Sequence, residues 1–484
     1  METTIINHEK KPPPHAVFIP YPLQSHIKCM LKLARVLHHK GIHITFVNTQ
    51  SNHKRLLNSS GSHDLTSNKV PGFQFKTIPD GHDNAEQTQT ITEITSYLVT
   101  NLLGSLIDLV VGLETPATCI VSDGLVTFAK TPLAAEKLGV PIILYWTMAA
   151  CGFMAFYQAK VLMEKGIVPL KDESYLTNGH LDNLVDIPGM KGIRLRDLPE
   201  HILGVKPTTI ESLYFLVQMA READKVEHII IHTFDELETS LINELRSKFP
   251  RIYTVGPTEL LLNQIVNQNG NKNDNFISYS LTKEEPTCLK WLESKEPNSV
   301  VYVNFGSLAV MSLDALVEFG WGLVNSNHYF LWVIRSDLVD GGYVLPLELV
   351  EAVKRKGFIS TWCSQEEALN HCSVGGFLTH GGWGSVIESL SAGVPMICWP
   401  VSSDQKINCR QICTEWEAGM ELERNVNRNE VEKLVKELME GAKGENIRNK
   451  AIEWMKKAEI ATAPNGSSFL SVEKLVNEII LFSK

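Results

Sequence analysis

The sequence predicts an α/β protein built from two open, doubly wound parallel sheets that face each other across a cleft. Three observations predict it. The chain has 484 residues, more than one ordinary hydrophobic core accommodates. Short apolar runs alternate with amphipathic helical stretches, the pattern of strands covered by helices on both faces. The alternation stops once, in an asparagine-rich polar stretch, and then resumes.

Residues 16–20 (AVFIP) read as a buried strand. A helix follows, with Ile27, Met30, Ala34 and Leu37 on one face. Residues 42–48, 73–78, 118–123, 141–146 and 228–233 read as further strands. The helical stretch from Leu98, LVTNLLGSLIDLVVGL, is interrupted by Asn101, Ser105 and Asp108, which marks an amphipathic core helix rather than a membrane span. After residues 252–257 (IYTVGP) the composition turns polar, and residues 263–280 read as a linker. Strands resume at 299–307, 329–334, 357–361, 374–379 and 395–400, and helices close the chain. The expected division is a first domain at 1–257, a linker at 258–285, a second domain at 286–465 and a terminal helix at 466–484. In such sheets ligands bind at the carboxyl ends of strands.

Composition narrows the function. Hydrophobic content of 44% and charged content of 21% are those of a globular protein. A formal net charge of −10 argues against a nucleic-acid partner. Nine cysteines, an odd number spread through apolar stretches without a C-x-x-C pair, read as reduced core thiols and point to the cytoplasm. Cys409 and Cys413 share a helix face, but a metal there would lack further ligands, so no metal site is expected. The opening METTIINHEKKPPPHA lacks the apolar run of a signal peptide, so the sequons at Asn58 and Asn465 are not expected to carry glycans.

Residues 375–395, GGFLTHGGWGSVIESLSAGVP, raise the functional question. A strand ends, the chain turns through glycines, and a helix begins near Ser385. The first N–H groups of a helix lack intrahelical partners and carry the positive end of its dipole. Gly381, Gly382 and Gly384 let an anion approach that backbone, so a phosphate or diphosphate is the natural guest, with His380 donating a further hydrogen bond. The ligand-free reading is a capping box, Ser385-x-x-Glu388. The spacing is not that of an ATP P-loop, and no G-x-G-x-x-G follows the first strand, which weighs against a nicotinamide cofactor.

The wider window, WCSQEEALNHCSVGGFLTHGGWGSVIESLSAGVPMICWPVSSDQ from Trp362 to Gln405, resembles the signature box of plant family 1 UDP-dependent glycosyltransferases of secondary metabolism. Its W-x-x-Q, G-G-F-x-T-H-x-G-W-x-S-x-x-E, A-G-V-P and D-Q all stand in order. The likeness continues through PYPLQSHI, VSDG and VYVNFGS. It implies the GT-B fold, two Rossmann-like domains across a cleft. It implies that Trp362 stacks on uracil with Cys363 beside it, that Gln365 lies near the ribose, and that Glu388 accepts hydrogen bonds from ribose hydroxyls. His380, Ser385 and Ser307 would hold the diphosphate. Trp383, Asp404 and Gln405 would contact the sugar, and a terminal Gln goes with glucose. Where the family commonly has H-C-G-W-N-S, this chain has H-G-G-W-G-S. Gly381 replaces a cysteine, and Gly384 replaces an asparagine whose bond to the phosphate would be worth about 1.5–3 kcal/mol.

Glycosyl transfer to a hydroxyl requires removal of its proton, and a histidine titrates near neutrality. His26 follows the first strand, and the resemblance makes it the general base; taken alone it is a helix-start residue facing solvent. Asp123 ends the fourth strand, and the resemblance makes it the carboxylate that fixes the imidazole; taken alone it caps a helix near Leu125. The sequence has no D-x-D, so a metal-independent single displacement with inversion is expected, with UDP-glucose as co-substrate and no cofactor. Loops after the first-domain strands would bind the aglycone, with Tyr21, Leu23, Met148 and Phe153 as candidates that serve equally as core. YLTNGHLDNLVDIPGMKGIRLRDLP and SKEPNSVVYVNFGS resemble the branch holding cyanohydrin, iridoid and diterpenoid enzymes. The expected acceptor is a terpenoid hydroxyl of the steviol type. The alternatives are a flavonoid, iridoid or cyanohydrin acceptor, another UDP-sugar, or UDP-sugar binding without catalysis. The partners are then small molecules, and a monomer is expected.

Overall fold

Parallel strands build two separate sheets in the computed structural model, which describes residues 13–60, 70–81, 91–268, 280–339 and 342–482. The first sheet contains β1 (His15–Ile19), β2 (His43–Thr49), β3 (Phe73–Ile78), β4 (Cys119–Asp123), β5 (Ile142–Trp146), β6 (His228–Ile231) and β7 (Arg251–Thr254), in the order β3-β2-β1-β4-β5-β6-β7. The second contains β8 (Val300–Asn304), β9 (Tyr329–Val333), β10 (Gly357–Ser360), β11 (Val374–Thr379), β12 (Met396–Cys398) and β13 (Gly419–Glu421), in the order β10-β9-β8-β11-β12-β13. Central strands are buried along their whole length, which is why they read as continuous apolar runs rather than alternating ones.

Each sheet reverses its winding once, and a crevice opens at each reversal. In the first sheet this falls between β1 and β4, paired from Ala16↔Cys119 to Ile19↔Ser122. In the second it falls between β8 and β11, where Asn304 pairs with Thr379. His26 and Asp123 follow the first pair of strands; Ser307 and His380 follow the second.

The first part of the expected linker is helical. Thr258–Gln268 is a helix, and its Leu261 and Leu262 are buried in the same apolar cluster as Phe18 and Leu33. Residues 269–279 lie outside the described residues. The terminal helix, Ser467–Phe482, returns to the first sheet: Val472, Leu475, Val476 and Ile479 join that cluster, and Ser468 donates to Gly256 O. One helical segment, Glu93–Val111, is apolar enough and long enough to cross a membrane by length and composition. Here Ile94, Leu98, Leu102, Leu106 and Val110, spaced four apart, are buried as a stripe, the amphipathic arrangement expected for the stretch. All nine cysteines are free thiols; Cys372 is exposed, against the expectation of core positions throughout.

Candidate active site

His26 stands in the first turn of the helix Gln24–His39, carried there by the short loop after β1. Its Nδ1 lies 2.7 Å from Asp123 Oδ2 and 2.8 Å from Thr147 Oγ1. The Asp123 carboxylate can only accept, so Nδ1 carries the proton and Nε2, on the far edge of the ring, is left as the basic nitrogen. Among the described residues Nε2 makes no hydrogen bond. The Asp123 side chain is 1% exposed and that of His26 13%, so the pair is sheltered but reachable. Asp123 also caps the short helix Gly124–Ala129, its Oδ1 accepting from Leu125 N at 2.9 Å. One carboxylate thus contacts the imidazole through Oδ2 and the helix start through Oδ1. Tyr21 sets its ring edge-on to His26 at 5.5 Å and bonds Thr95 through its hydroxyl, forming one wall. Leu23 is half-buried beside it at the helix start.

Across the cleft, the helix Trp383–Ser391 begins two residues before Ser385, with Gly382 as its N-cap and no capping side chain. Val386 N–H is the first to bond back, to Gly382 O at 3.1 Å. The capping box does not form because the helix starts earlier than expected, which puts Ser385 inside its first turn rather than at the N-cap. The N–H groups of the first turn thus remain open for an anion. A Cβ on Gly384 would meet nothing within 4 Å, so there is room where the family's asparagine would stand. Gly306, with φ +72°, brings the backbone after β8 so close to His380 that a Cβ would lie 2.5 Å from its ring. Ser307 follows at once, half-buried. Burial, with the Arg335 guanidinium nearby, pushes His380 down to about 4. It is therefore a neutral donor near pH 7.

Glu388, Gln365 and Ser385 form one network. Gln365 donates from Nε2 to Glu388 Oε2 at 2.8 Å and to Ser385 Oγ at 3.1 Å, and accepts from Asn304 Nδ2 at 3.0 Å. Glu388 Oε1 accepts from Lys28 Nζ at 2.8 Å, a residue of the opposite half and two positions beyond His26. Half-buried Trp362, two residues after β10, donates from its indole to Ser280 Oγ at 3.0 Å. At the other end, Asp404 approaches Gly152 of the first half, where an added Cβ would stand 3.3 Å from Asp404 Cβ. Burial raises the Asp404 carboxyl above its ordinary value, against the opposing pull of Asn408 and of His26. Gln405 accepts at Oε1 from Val401 N and Ser402 N, at 2.8 and 3.0 Å, which fixes its amide.

Three candidates are placed differently from expectation. The Trp383 ring is 3% exposed, donates to His232 O at 2.6 Å and packs on Trp416, so only its backbone N–H faces a ligand. Phe153 is 1% exposed, with its ring 4.6 Å from Trp146; it is core rather than acceptor pocket. The Cys363 thiol is buried beside Cys288, whose contact together with burial raises its pKa, so only the backbone there is left for a nucleotide. Met148 is buried but borders the interdomain face beside Gly152. Lys28 and Thr147 were missed from the sequence. Lys28's place directly after the octapeptide PYPLQSHI, two residues beyond His26, was the one signal available.

Two opposed doubly wound sheets, with an open helix N-terminus in one and a His–Asp pair in the other, define a GT-B glycosyltransferase. The family profile described as UDP-glucoronosyl and UDP-glucosyl transferase matches residues 224–452. UDP-glycosyltransferase 85C1 of Stevia rebaudiana is 63% identical over 98% of both chains. The 7-deoxyloganetin glucosyltransferase of Gardenia jasminoides is 49% identical over 97% of this chain and 98% of its own. A solved UDP-glucose:anthocyanidin 3-O-glucosyltransferase in complex with UDP aligns with TM-score 0.79 at 26% identity, over 98% of this chain and all of that one. The chain belongs to the plant UDP-glycosyltransferase family.

Proposed function

We propose that the protein is an inverting, metal-independent O-glucosyltransferase that moves glucose from UDP-glucose to a hydroxyl of a lipophilic, terpenoid-type aglycone. The observation that carries the reading is convergence. The helix bearing His26 reaches Glu388 directly through Lys28, so the imidazole and the open helix N-terminus share one cleft.

In this reading the diphosphate lies on the first N–H groups of Trp383–Ser391, with Ser307 and neutral His380 donating to it. The ribose hydroxyls donate to Glu388, and uracil stacks on Trp362. The sugar lies between Asp404 and the amide of Gln405. His26 Nε2 takes the acceptor's proton as its oxygen attacks the anomeric carbon. Asp123 holds the imidazole's tautomer and stabilises the cation it becomes. UDP departs on the opposite face, so an α-linked donor gives a β-glucoside. The helix terminus and its hydroxyl donors offset the leaving group's charge without a cation, in keeping with the absence of a D-x-D pattern from the sequence. The terpenoid-type acceptor is favoured by the 49% identity to the Gardenia 7-deoxyloganetin glucosyltransferase, an enzyme named for an iridoid. Free thiols throughout favour a reducing compartment such as the cytoplasm.

The test is to offer UDP-glucose with a mixture of diterpenoid, iridoid and flavonoid alcohols and identify products by mass spectrometry and NMR. A β-glucoside of a terpenoid alcohol, formed equally with chelator present, is expected. An α-linked product or a strict flavonoid preference would overturn the reading.

A further inference from the structure

Gln24, Lys28 and Lys32 lie at i, i+4 and i+8 on the helix that carries His26, and this stripe meets the second half. Gln24 Oε1 accepts from Leu281 N at 2.6 Å. Lys28 Nζ bonds Glu388 Oε1 at 2.8 Å and Glu366 Oε1 at 2.6 Å. Lys32 pairs with Glu366 and with Glu259. Burial alone would lower the Lys28 ammonium, but Glu366 and Glu388 outweigh it and hold the pKa above its ordinary value. Burial alone would likewise raise Glu366, yet Lys28 and Lys32 hold it well below the usual carboxylate range. The pairs to Glu366 and Glu388 span the cleft.

We propose that Lys28 is a positioning residue for the sugar donor: by bridging Glu388 and Glu366 it orients the ribose-binding carboxylate and registers the His26 helix against the bound nucleotide. This rests on the donor site of the preceding reading. A carboxylate offers about four lone-pair positions. Lys28 occupies one on Oε1 and Gln365 one on Oε2, so ribose hydroxyls find acceptors without displacing the lysine. The ammonium also sets one positive charge between Glu388 and Glu366, 2.8 and 2.6 Å from their oxygens, beside the place where a diphosphate would arrive. A neutral side chain at 28 leaves two carboxylates facing an anionic ligand without their shared cation.

The experiment compares wild type, Lys28→Met, Lys28→Arg and Glu366→Gln by UDP calorimetry and by KM for each substrate. Lys28→Met should weaken UDP and raise the UDP-glucose KM about tenfold while leaving the aglycone KM unmoved, and Lys28→Arg should restore most of the loss. If Lys28→Met does not fold, Glu366→Gln, which loosens the bridge without deleting the lysine, should weaken UDP in the same direction by less. Equal or tighter UDP binding in these variants overturns the proposal, as does an equal rise in both KM values. Wild type that binds no UDP would refute the donor site and this inference with it; UDP held alike by wild type and Lys28→Met refutes the inference alone.

Discussion

Replacing Asp123 by asparagine separates the catalytic role proposed for this residue from its structural use. Asp123 Oδ1 caps Leu125 N at 2.9 Å, and asparagine keeps an oxygen there and caps as well as aspartate. The other atom changes character. Where Oδ2 accepts from His26 Nδ1 at 2.7 Å, an amide NH2 donates, so Nδ1 must become the acceptor and the ring proton moves to Nε2. That nitrogen can then no longer take a proton from the aglycone. General-base assistance contributes about 10²–10⁴ in rate, equivalent to about 3–5 kcal/mol of barrier. We expect kcat to fall about a thousandfold, in the middle of that range, with the UDP-glucose KM and the unfolding midpoint close to wild type. Asp123→Ala should show the same kinetic loss plus about 1 kcal/mol of lost stability from the missing cap. The assay is UDP release at saturating donor, with urea unfolding alongside. An Asp123→Asn enzyme that keeps more than about a tenth of wild-type kcat would refute the tautomer argument.

Other outcomes follow from single contacts. Gly384→Asn has space for its side chain and adds a donor at the diphosphate, so the UDP-glucose KM should fall about tenfold; an unchanged or higher KM would place the phosphate elsewhere. Phe153→Ala empties a core position and should cost about 3–5 kcal/mol in urea unfolding without changing the aglycone KM. His232 is pushed down to about 3 by burial and by nearby Lys32, so its folded form resists protonation while the unfolded chain takes up a proton below about pH 6.5. Its presence therefore costs stability as pH falls through that window, about 2 kcal/mol at pH 5. His232→Gln should accordingly lose less stability than wild type between pH 7 and 5, and parallel pH profiles would contradict this.

The two sheets were legible because their central strands are buried on both faces and so stand out as unbroken apolar runs. β13 was not, since Gly-Met-Glu offers neither length nor alternation. Thr258–Gln268 was hidden by its asparagines and glutamines, although Leu261, Leu262, Ile265 and Val266 carry a helical spacing that buries against the first sheet. The positions of His26, Asp123 and Glu388 were legible through their motifs and strand ends. The directions of Trp383 and Phe153 were not. A large ring at a helix start can turn toward the cleft or the core, and neighbours far away in sequence decide which. The Lys28–Glu388 bridge joins residues 360 apart, so no local pattern announces it.

A crystal structure with UDP-2-fluoroglucose and an aglycone bears most directly on the arrangement. The diphosphate should lie on the backbone N–H groups that open Trp383–Ser391, the ribose on Glu388, and the anomeric carbon opposite His26 Nε2 with the acceptor oxygen between them. A nucleotide bound away from that helix start, or an imidazole turned from the sugar, would contradict it.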